Sequence, residues 1–258
     1  MTVAYGVVGG VATITLASPE TRNVLTADSM AAMRDHLRTA ADDHSVRVVV
    51  VTGEGGTFCA GADLSGALAG DADSFTSTGP AAMAALLEAM LDHPKPLVAR
   101  VQGHVAGGGN GLVAACDIAV ATESAKFAFS EVRVGVAPAV ISVVCLAVMH
   151  RRDAQELLLT GERVSAQRVL DAGLLTAVAD SDAFDAVVSS YVDALLLGGP
   201  EALSHTKNLL RRVPTLPRDE AFAFTAEVSG SLFASAEARE GMGAFLDRRS
   251  PAWAPAPD

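Results

Sequence analysis

Apolar residues fall into alternating and continuous runs that predict the first strands. Val3 to Val8 and Val11 to Leu16 are rich in β-branched residues and flank Gly9-Gly10, a pattern that predicts a β-hairpin. Ser45 to Thr52 is almost continuously apolar, which is typical of a strand buried on both faces of a sheet. Leu97 to Val101 has the same character and predicts a further strand of that sheet.

Helical spacing follows the hairpin. After Thr26, an N-cap residue type, Met30, Met33 and Leu37 recur on one side and predict a helix that ends near Asp42. We therefore expect the apolar face of this helix to pack against the sheet.

A second helix is expected over Pro80 to Leu91, where Met83, Leu86 and Met90 share one side. Ser65 to Thr78, just before it, is rich in Gly, Ala, Asp and Ser and shows no strong period. That composition predicts a surface loop.

The pattern changes near Arg151. Before it, Ile118 to Ala121 and Lys126 to Phe129 predict short strands, and Pro138 to Met149 predicts an apolar helix. From Asp153 onward the apolar positions show helical spacing. The expected helices cover Arg152–Thr160, Ser165–Ala172, Asp182–Leu197, Pro200–Arg212, Arg218–Phe233 and Ala234–Leu246.

Two glycine-bearing loops each follow a predicted strand. One is Gly103 to Leu112, with three consecutive glycines, and the other is Thr57 to Leu64. Glycine has no Cβ, so its backbone N–H groups approach a ligand closely, and free N–H groups at the start of a helix favour a partly negative oxygen. Two such loops supply what an oxyanion hole needs, although tight turns packed against neighbours are the alternative interpretation.

These loops, in this order, resemble two motifs of the crotonase superfamily of enoyl-CoA hydratases, isomerases and their relatives. Phe129 to Pro138 and Glu240 to Pro251 are similar to its third motif and its C-terminal signature, so the resemblance runs from about Ala12 to Trp253. It implies an α/β fold, a crotonase-like spiral of ββα units with a helical C-terminal region. The implied division is a spiral core over 1–195 and a helical region for trimerisation and active-site closure over 196–258.

The resemblance also implies the catalytic groups. The backbone N–H groups of Ala62 and Gly108 would polarise the thioester carbonyl, and Glu131 would transfer the proton. Apolar neighbours of Glu131 would raise its pKa and suit it to proton transfer near neutral pH. The alternative role for Glu131 is an ion pair with Arg133 or another base on a solvated face.

One position departs from the pattern. Hydratases of the superfamily hold water between two glutamates, and the position of the second one is Gly111 here. We expect a hydratase-type enzyme that adds water to a 2-enoyl-CoA. The alternatives are a Δ3,Δ2-enoyl-CoA isomerase that uses a single glutamate, or an acyl-CoA-binding member with little turnover. Replacing Gly111 by Glu is expected to favour hydration relative to isomerisation, provided that the loop tolerates a side chain there.

Further residues are implied as acyl-CoA contacts. By this resemblance, the segment near Arg22 would lie near the pantetheine part of coenzyme A, and Asp63 would lie near its adenine. Phe245 would belong to the C-terminal contacts with the nucleotide end. Arg22 and Asn23 have turn closure as their alternative role. The predicted substrate contacts are Arg22, Asn23, Leu25, Ala60, Asp63, Leu64, Gly107, Gly111, Ser130 and Phe245.

Net charge and cysteine content limit the ligands and the cellular compartment expected for this protein. A net charge of −11 argues against a nucleic-acid surface. The three cysteines are an odd number without paired spacing, which favours free thiols and a cytoplasmic protein. No cluster has metal-ligand spacing, and the apolar run Val136 to Met149 is too short to span a bilayer. Coenzyme A is expected only as part of the substrate, and the resemblance implies a homotrimer or homohexamer.

Overall fold

The computed structural model describes residues 3–63 and 72–255, with the side chains of 72–77 left out. The strands are β1 (Val3–Val8), β2 (Val11–Leu16), β3 (Val48–Gly53), β4 (Thr57–Cys59), β5 (Leu97–Val101), β6 (His104–Ala106), β7 (Ile118–Thr122), β8 (Lys126–Ala128), β9 (Arg163–Ser165) and β10 (Ala177–Ala179). The helices are α1 (Ala27–Asp42), α2 (Ala72–Leu91), α3 (Gly108–Ala114), α4 (Ala139–Val148), α5 (Arg151–Thr160), α6 (Ala166–Asp171), α7 (Phe184–Leu197), α8 (Pro200–Arg212), α9 (Arg218–Phe233) and α10 (Ala236–Asp247).

The larger sheet has the strand order β1-β2-β3-β5-β7-β10. The hairpin β1–β2 is antiparallel, as the Gly9-Gly10 turn predicts, and every other pair in this sheet is parallel. All residues of β3 are buried, because it lies between β2 and β5 and is covered on both faces. The prediction of a doubly buried strand over this segment is confirmed.

Alternate residues of β3 enter two different cores. Val49 and Val51 belong to the main core, which also contains Met33 of α1. Val48 and Val50 point to the other face and pack with α7. The buried residues of α7 recur every four positions and form one side of that helix: Phe184, Val188, Val192 and Leu196.

The smaller sheet has the order β4-β6-β8-β9 and explains how the chain coils. Three successive units, β3–β4–α2, β5–β6–α3 and β7–β8–α4, each place one strand in the larger sheet and the next in the smaller sheet. The strands β4, β6 and β8 are parallel neighbours. The predicted spiral of ββα units is therefore confirmed, and so is a mostly helical C-terminal region.

The loop predicted over Ser65 to Thr78 is wrong for its second half. Helix α2 begins at Ala72 and continues through Pro80. A proline removes one backbone donor, and this helix accommodates it. The segment before Pro80 has no apolar period, so the periodicity that located the end of the helix did not locate its start. Residues 64–71 lie outside the described part of the chain.

The region predicted to be wholly helical also contains two strands. β9 pairs with β8, and β10 pairs with β7 at the edge of the larger sheet. Each has three residues, too few to show the alternation from which a strand is predicted. Only pairing with a distant strand makes these residues extended.

The last helices are less buried than α7. Within α8 and α9 no residue is buried, and in α10 only Ala244 is. Arg47 ties this region to the core by donating to the carbonyl of Trp253 at 2.8 Å and to that of Gly198 at 2.6 Å. The predicted division at residue 196 lies close to the end of α7 and stays a prediction. Among the described residues, no helix combines the length and apolar character that a membrane crossing requires.

Candidate active site

Three predicted catalytic residues follow three neighbouring strands of the smaller sheet. Ala62 comes after β4, Gly108 after β6 and Glu131 after β8. Since these strands are parallel, their carboxyl ends lie at one edge of the sheet, where ligands of α/β proteins commonly bind. The fold thus brings together residues that are far apart in the sequence.

The two glycine loops lie in backbone contact. Gly61 has φ +89°, and a Cβ built on it would lie 2.9 Å from the carbonyl oxygen of Ala106 and 3.3 Å from the nitrogen of Gly108. Only glycine permits this approach. Neither the amide of Ala62 nor that of Gly108 donates a hydrogen bond to another described residue. Within the described residues both N–H groups therefore remain available as donors, as an oxyanion hole requires.

The segment from Arg22 to Leu25 lies beside the glycine loop that follows β4. Ala60 N–H donates to the carbonyl of Arg22 at 3.1 Å, and Leu25 N–H donates to that of Gly61 at 2.7 Å. Asp63 N–H then donates to the carbonyl of Leu25 at 3.2 Å. Four of the residues predicted to contact the substrate thus come together through their backbones.

Asn23 has a different role from the predicted one. Its side chain is buried, and its amide nitrogen donates to the carbonyls of Glu54 at 3.0 Å and Thr57 at 2.7 Å. Its amide oxygen accepts from Ser18 N–H at 2.9 Å. Both donors are used by the chain, so the geometry supports turn closure, the alternative that the sequence left open, rather than contact with a ligand.

Glu131 lies in a 3-10 helix, Ser130–Val134, and its carboxyl group faces the glycine loop. A Cβ built on Gly107 would lie 3.6 Å from Glu131 Oε1 and 3.7 Å from the Cα of Gly61. Glu131 Oε2 is buried and has no hydrogen-bond partner among the described residues. The expected alternative partner, Arg133, instead donates to the carbonyl of Thr160 at 2.5 Å.

Burial raises the pKa of Glu131 above its ordinary value, and a hydrogen bond with its own backbone lowers that pKa by a smaller amount. The direction agrees with the sequence prediction. Of the three apolar neighbours expected to cause it, Phe129 is buried, whereas Val132 and Val134 are exposed. A raised pKa suits a carboxyl group that both donates and accepts protons.

This raised pKa makes a prediction about stability. A carboxyl whose pKa rises on folding costs the native state free energy at pH values above its unfolded pKa, because ionisation is harder in the folded chain. We expect Glu131→Gln to have a higher Tm than the wild type at neutral pH. The difference should vanish as the pH falls below the ordinary glutamate pKa. Thermal unfolding of both proteins across that range measures it.

The control for this experiment is Glu123→Gln, which alters an exposed glutamate between β7 and β8. The Tm of this control should stay close to that of the wild type. A Tm difference for Glu131→Gln that is the same at acid and neutral pH would contradict the desolvation of this carboxyl group.

Gly111 lies in α3 and its missing side chain is replaced by a neighbour. A Cβ there would lie 2.6 Å from Ile141 Cγ2 and 3.2 Å from Met83 Cε. A Cβ on Gly108 would likewise lie 3.2 Å from Leu25 Cδ1. We call Leu25, Met83 and Ile141 the apolar wall. It occupies the space where the side chain of a second carboxylate would begin.

The condition set on Gly111→Glu, that the loop tolerates a side chain, is not met without a shift of Ile141. We expect this variant to lose about 1–3 kcal/mol or more of unfolding free energy through overpacking against Ile141. Adding Ile141→Ala should recover part of that loss and raise hydration relative to isomerisation. Chemical denaturation and paired substrate assays measure both effects. A Gly111→Glu protein with wild-type stability would show that the contact with Ile141 relaxes freely.

The remaining predicted substrate contacts are Ser130, Phe245 and Leu64. Ser130 begins the 3-10 helix and is half-buried, whereas Phe245 on α10 is 82% exposed. Leu64 lies outside the described residues. Asn110 and Ile141 were not singled out from the sequence. Asn110 had a signal, a polar residue in an otherwise apolar run, whereas Ile141 is one of many apolar residues in its segment.

A coil of ββα units with two abutting glycine loops and a glutamate at one sheet edge is the arrangement of the crotonase fold. The chain belongs to the enoyl-CoA hydratase/isomerase family, whose family model matches residues 7–255.

Individual relatives agree with this assignment. The chain is 33% identical to enoyl-CoA hydratase EchA19 of Mycobacterium tuberculosis over 242 residues, 92% of this chain and 91% of that protein. It is 31% identical to carnitinyl-CoA dehydratase of Salmonella typhi, with 95% of each chain covered. Its structure matches that of human enoyl Coenzyme A hydratase domain-containing protein 3 with a TM-score of 0.93 and 26% identity, over 98% of this chain and 100% of the other.

Proposed function

We propose that this protein is a hydratase-type enzyme that adds water across the C2–C3 double bond of a 2-enoyl-CoA. The observation that carries the proposal is the position of the Glu131 carboxyl group beside Gly107, in the loop whose neighbours Ala62 and Gly108 have amides without a partner among the described residues. The names of the relatives, an enoyl-CoA hydratase and a carnitinyl-CoA dehydratase, support addition or removal of water.

In this proposal the thioester oxygen accepts hydrogen bonds from the N–H groups of Ala62 and Gly108. Negative charge develops on that oxygen as water attacks C3, and two fixed donors in a site shielded from water stabilise it. The backbone supplies both donors, so no side chain has to move into place as the charge develops.

Glu131 then performs both proton transfers. In its protonated form it gives a proton to C2, while its other oxygen accepts a proton from the water that attacks C3. The product is a 3-hydroxyacyl-CoA, and the glutamic acid is regenerated. The raised pKa of Glu131 supports this cycle, because a proton donor must carry its proton before the reaction.

A second candidate is Δ3,Δ2-enoyl-CoA isomerisation. The apolar wall favours it, because Ile141 fills the space where a second carboxylate would hold a water molecule. In this reaction Glu131, as a carboxylate, removes a proton from C2 of a 3-enoyl-CoA. It then returns the proton to C4, and the double bond moves to C2–C3.

Assays with crotonyl-CoA and with a 3-enoyl-CoA, run side by side, separate the candidates. Hydration of crotonyl-CoA at the higher kcat/KM supports the hydratase, and faster conversion of the 3-enoyl-CoA supports the isomerase. Binding of both compounds by calorimetry without turnover would leave an acyl-CoA-binding protein with little activity. Absence of binding to acyl-CoA of any chain length would overturn the whole proposal.

We also propose that the protein is a homotrimer or homohexamer in the cytoplasm. Exposed apolar side chains on α9 and α10 support assembly, since large apolar patches commonly mark interfaces. Free thiols at all three cysteines fit a reducing compartment. Light scattering that finds only a monomer would contradict the assembly. The exposed side chains are Phe222, Phe233, Met242, Phe245 and Leu246.

A further inference from the structure

Asn110 is a polar side chain in the buried first turn of α3. It is 0% exposed, and its amide nitrogen donates to the carbonyl of Gly107 at 3.2 Å and to that of Ala128 at 2.9 Å. Its amide oxygen is buried and has no hydrogen-bond partner within the described residues. An unpaired buried acceptor costs free energy that an apolar side chain would avoid. The useful part of Asn110 is therefore its pair of donors.

The first of these donors acts on the peptide unit that carries an oxyanion N–H group. In a trans peptide the carbonyl and the following N–H lie in one plane and point in opposite directions. The unit from Gly107 to Gly108 is trans, so holding the carbonyl of Gly107 fixes the direction of the Gly108 N–H. Two groups donate to the carbonyl of Gly107. One is the side-chain amide of Asn110, and the other is the backbone N–H of Asn110 at 2.9 Å.

Gly107 does not fix this direction by itself. Its backbone has φ 50° and ψ −124°, and glycine has unusually wide conformational freedom. Rotation about ψ of Gly107 would turn the whole peptide unit and move the Gly108 N–H away from the thioester oxygen. The side chain of Asn110 opposes that rotation.

The second donor connects the same loop to the segment that carries the carboxyl group. Ala128 ends β8, three positions before Glu131, and its carbonyl accepts from Gly107 N–H at 3.0 Å as well as from Asn110. One side chain thus contacts both the loop that presents Gly108 and the strand end that leads to Glu131.

We propose that Asn110 is a positioning residue, which fixes the direction of the Gly108 N–H and the separation of that group from Glu131. The inference rests on the proposed function, because it assigns Asn110 to the oxyanion donor of that site. Asn110 acts through Gly107 and Ala128 and not through contact with the substrate.

The expected effect differs from that of a merely structural residue. Without the side chain, the carbonyls of Gly107 and Ala128 each keep one backbone donor, so neither is left unpaired. Asn110→Leu, which has a similar volume, should therefore fold with a Tm near that of the wild type. Its kcat should fall by about 10-fold to 10²-fold, because a misplacement of about an ångström costs up to about 10²-fold in rate. Its affinity for acyl-CoA should stay nearly unchanged.

The decisive measurement is infrared difference spectroscopy of an acyl-CoA with a ¹³C-labelled thioester carbonyl. In the wild type, two hydrogen bonds should lower the stretching frequency of the bound carbonyl relative to the free compound. The shift should be smaller in Asn110→Leu. Thr52→Val is the matched control, because it removes a buried side-chain bond to the carbonyl of Arg100 within the larger sheet. The control should keep both the wild-type shift and kcat.

The outcomes separate this inference from the proposed function. A wild-type protein that shows no shift refutes the oxyanion site, whatever the variants do. A normal wild-type shift that Asn110→Leu retains, together with an unchanged kcat, overturns the positioning role alone. If Asn110→Leu does not fold, Asn110→Asp, which keeps the shape without the amide donors, is measured in the same way. Failure of both variants to fold would assign Asn110 to stability and overturn the inference.

Discussion

Replacing Glu131 by Gln should lower kcat by about 10²-fold or more, the usual effect of losing a general acid–base group. The substitution keeps the size of the side chain and removes only the group that titrates. Acyl-CoA affinity should change little, because the substitution does not touch the backbone N–H groups of Ala62 and Gly108 that we propose bind the thioester oxygen. Steady-state kinetics and calorimetry on the same preparation measure the two quantities.

An exchange assay tests the same residue independently of the overall reaction. The α-protons of a saturated acyl-CoA should exchange with heavy water in the wild type, because enolate formation needs only the oxyanion donors and the base. Glu131→Gln should lose this exchange, and Glu123→Gln, the exposed control, should keep it. Exchange at the wild-type rate in Glu131→Gln would show that another group moves the proton.

Gly61→Ala should also lower kcat by about 10²-fold, comparable with the loss of one oxyanion donor. The new Cβ would lie 2.9 Å from the carbonyl oxygen of Ala106 and 3.3 Å from the nitrogen of Gly108, so the two loops would have to separate. A non-glycine residue at φ +89° adds strain of its own. Both effects act on the spacing of the two donors.

Gly56→Ala is the matched control for this substitution. Gly56 lies before β4, does not have a positive φ, and a Cβ there would meet no atom within 4 Å. Kinetics and thermal unfolding should show a near-normal protein for Gly56→Ala. If Gly61→Ala had the kcat of the wild type, the contact between the two loops would be unnecessary for the site.

The sequence predicted the elements whose signal is local. The β-branched runs around Gly9-Gly10, the N-cap residue Thr26, and the continuous apolar run of β3 each specify their own conformation. The motif resemblance identified the family, which the family match confirms. It also predicted catalytic roles for Ala62 and Gly108 from the glycine loops and for Glu131 from the third motif, and the structure brings these three residues to one edge of the smaller sheet.

Contacts between distant segments were not visible in the same way. β9 and β10 are extended because β8 and β7 pair with them, and three residues alone carry no period. The absence of a side chain at Gly111 was plain from the sequence. That Ile141 fills its place follows only from how α4 packs on α3.

The sequence by itself determined the fold class and the family, and it predicted the catalytic positions as types of residue at given spacings. Tertiary structure decided the environment of each group. It showed that the Asn23 side chain bonds to Ser18, Glu54 and Thr57. It also showed that Glu131 Oε2 is buried with no hydrogen-bond partner among the described residues, and that Asn110 donates to the carbonyl of Gly107. The physical reason is that the pKa of a group, its hydrogen-bond partners and the space around it depend on atoms from distant positions in the chain. A local sequence pattern does not contain these distant neighbours.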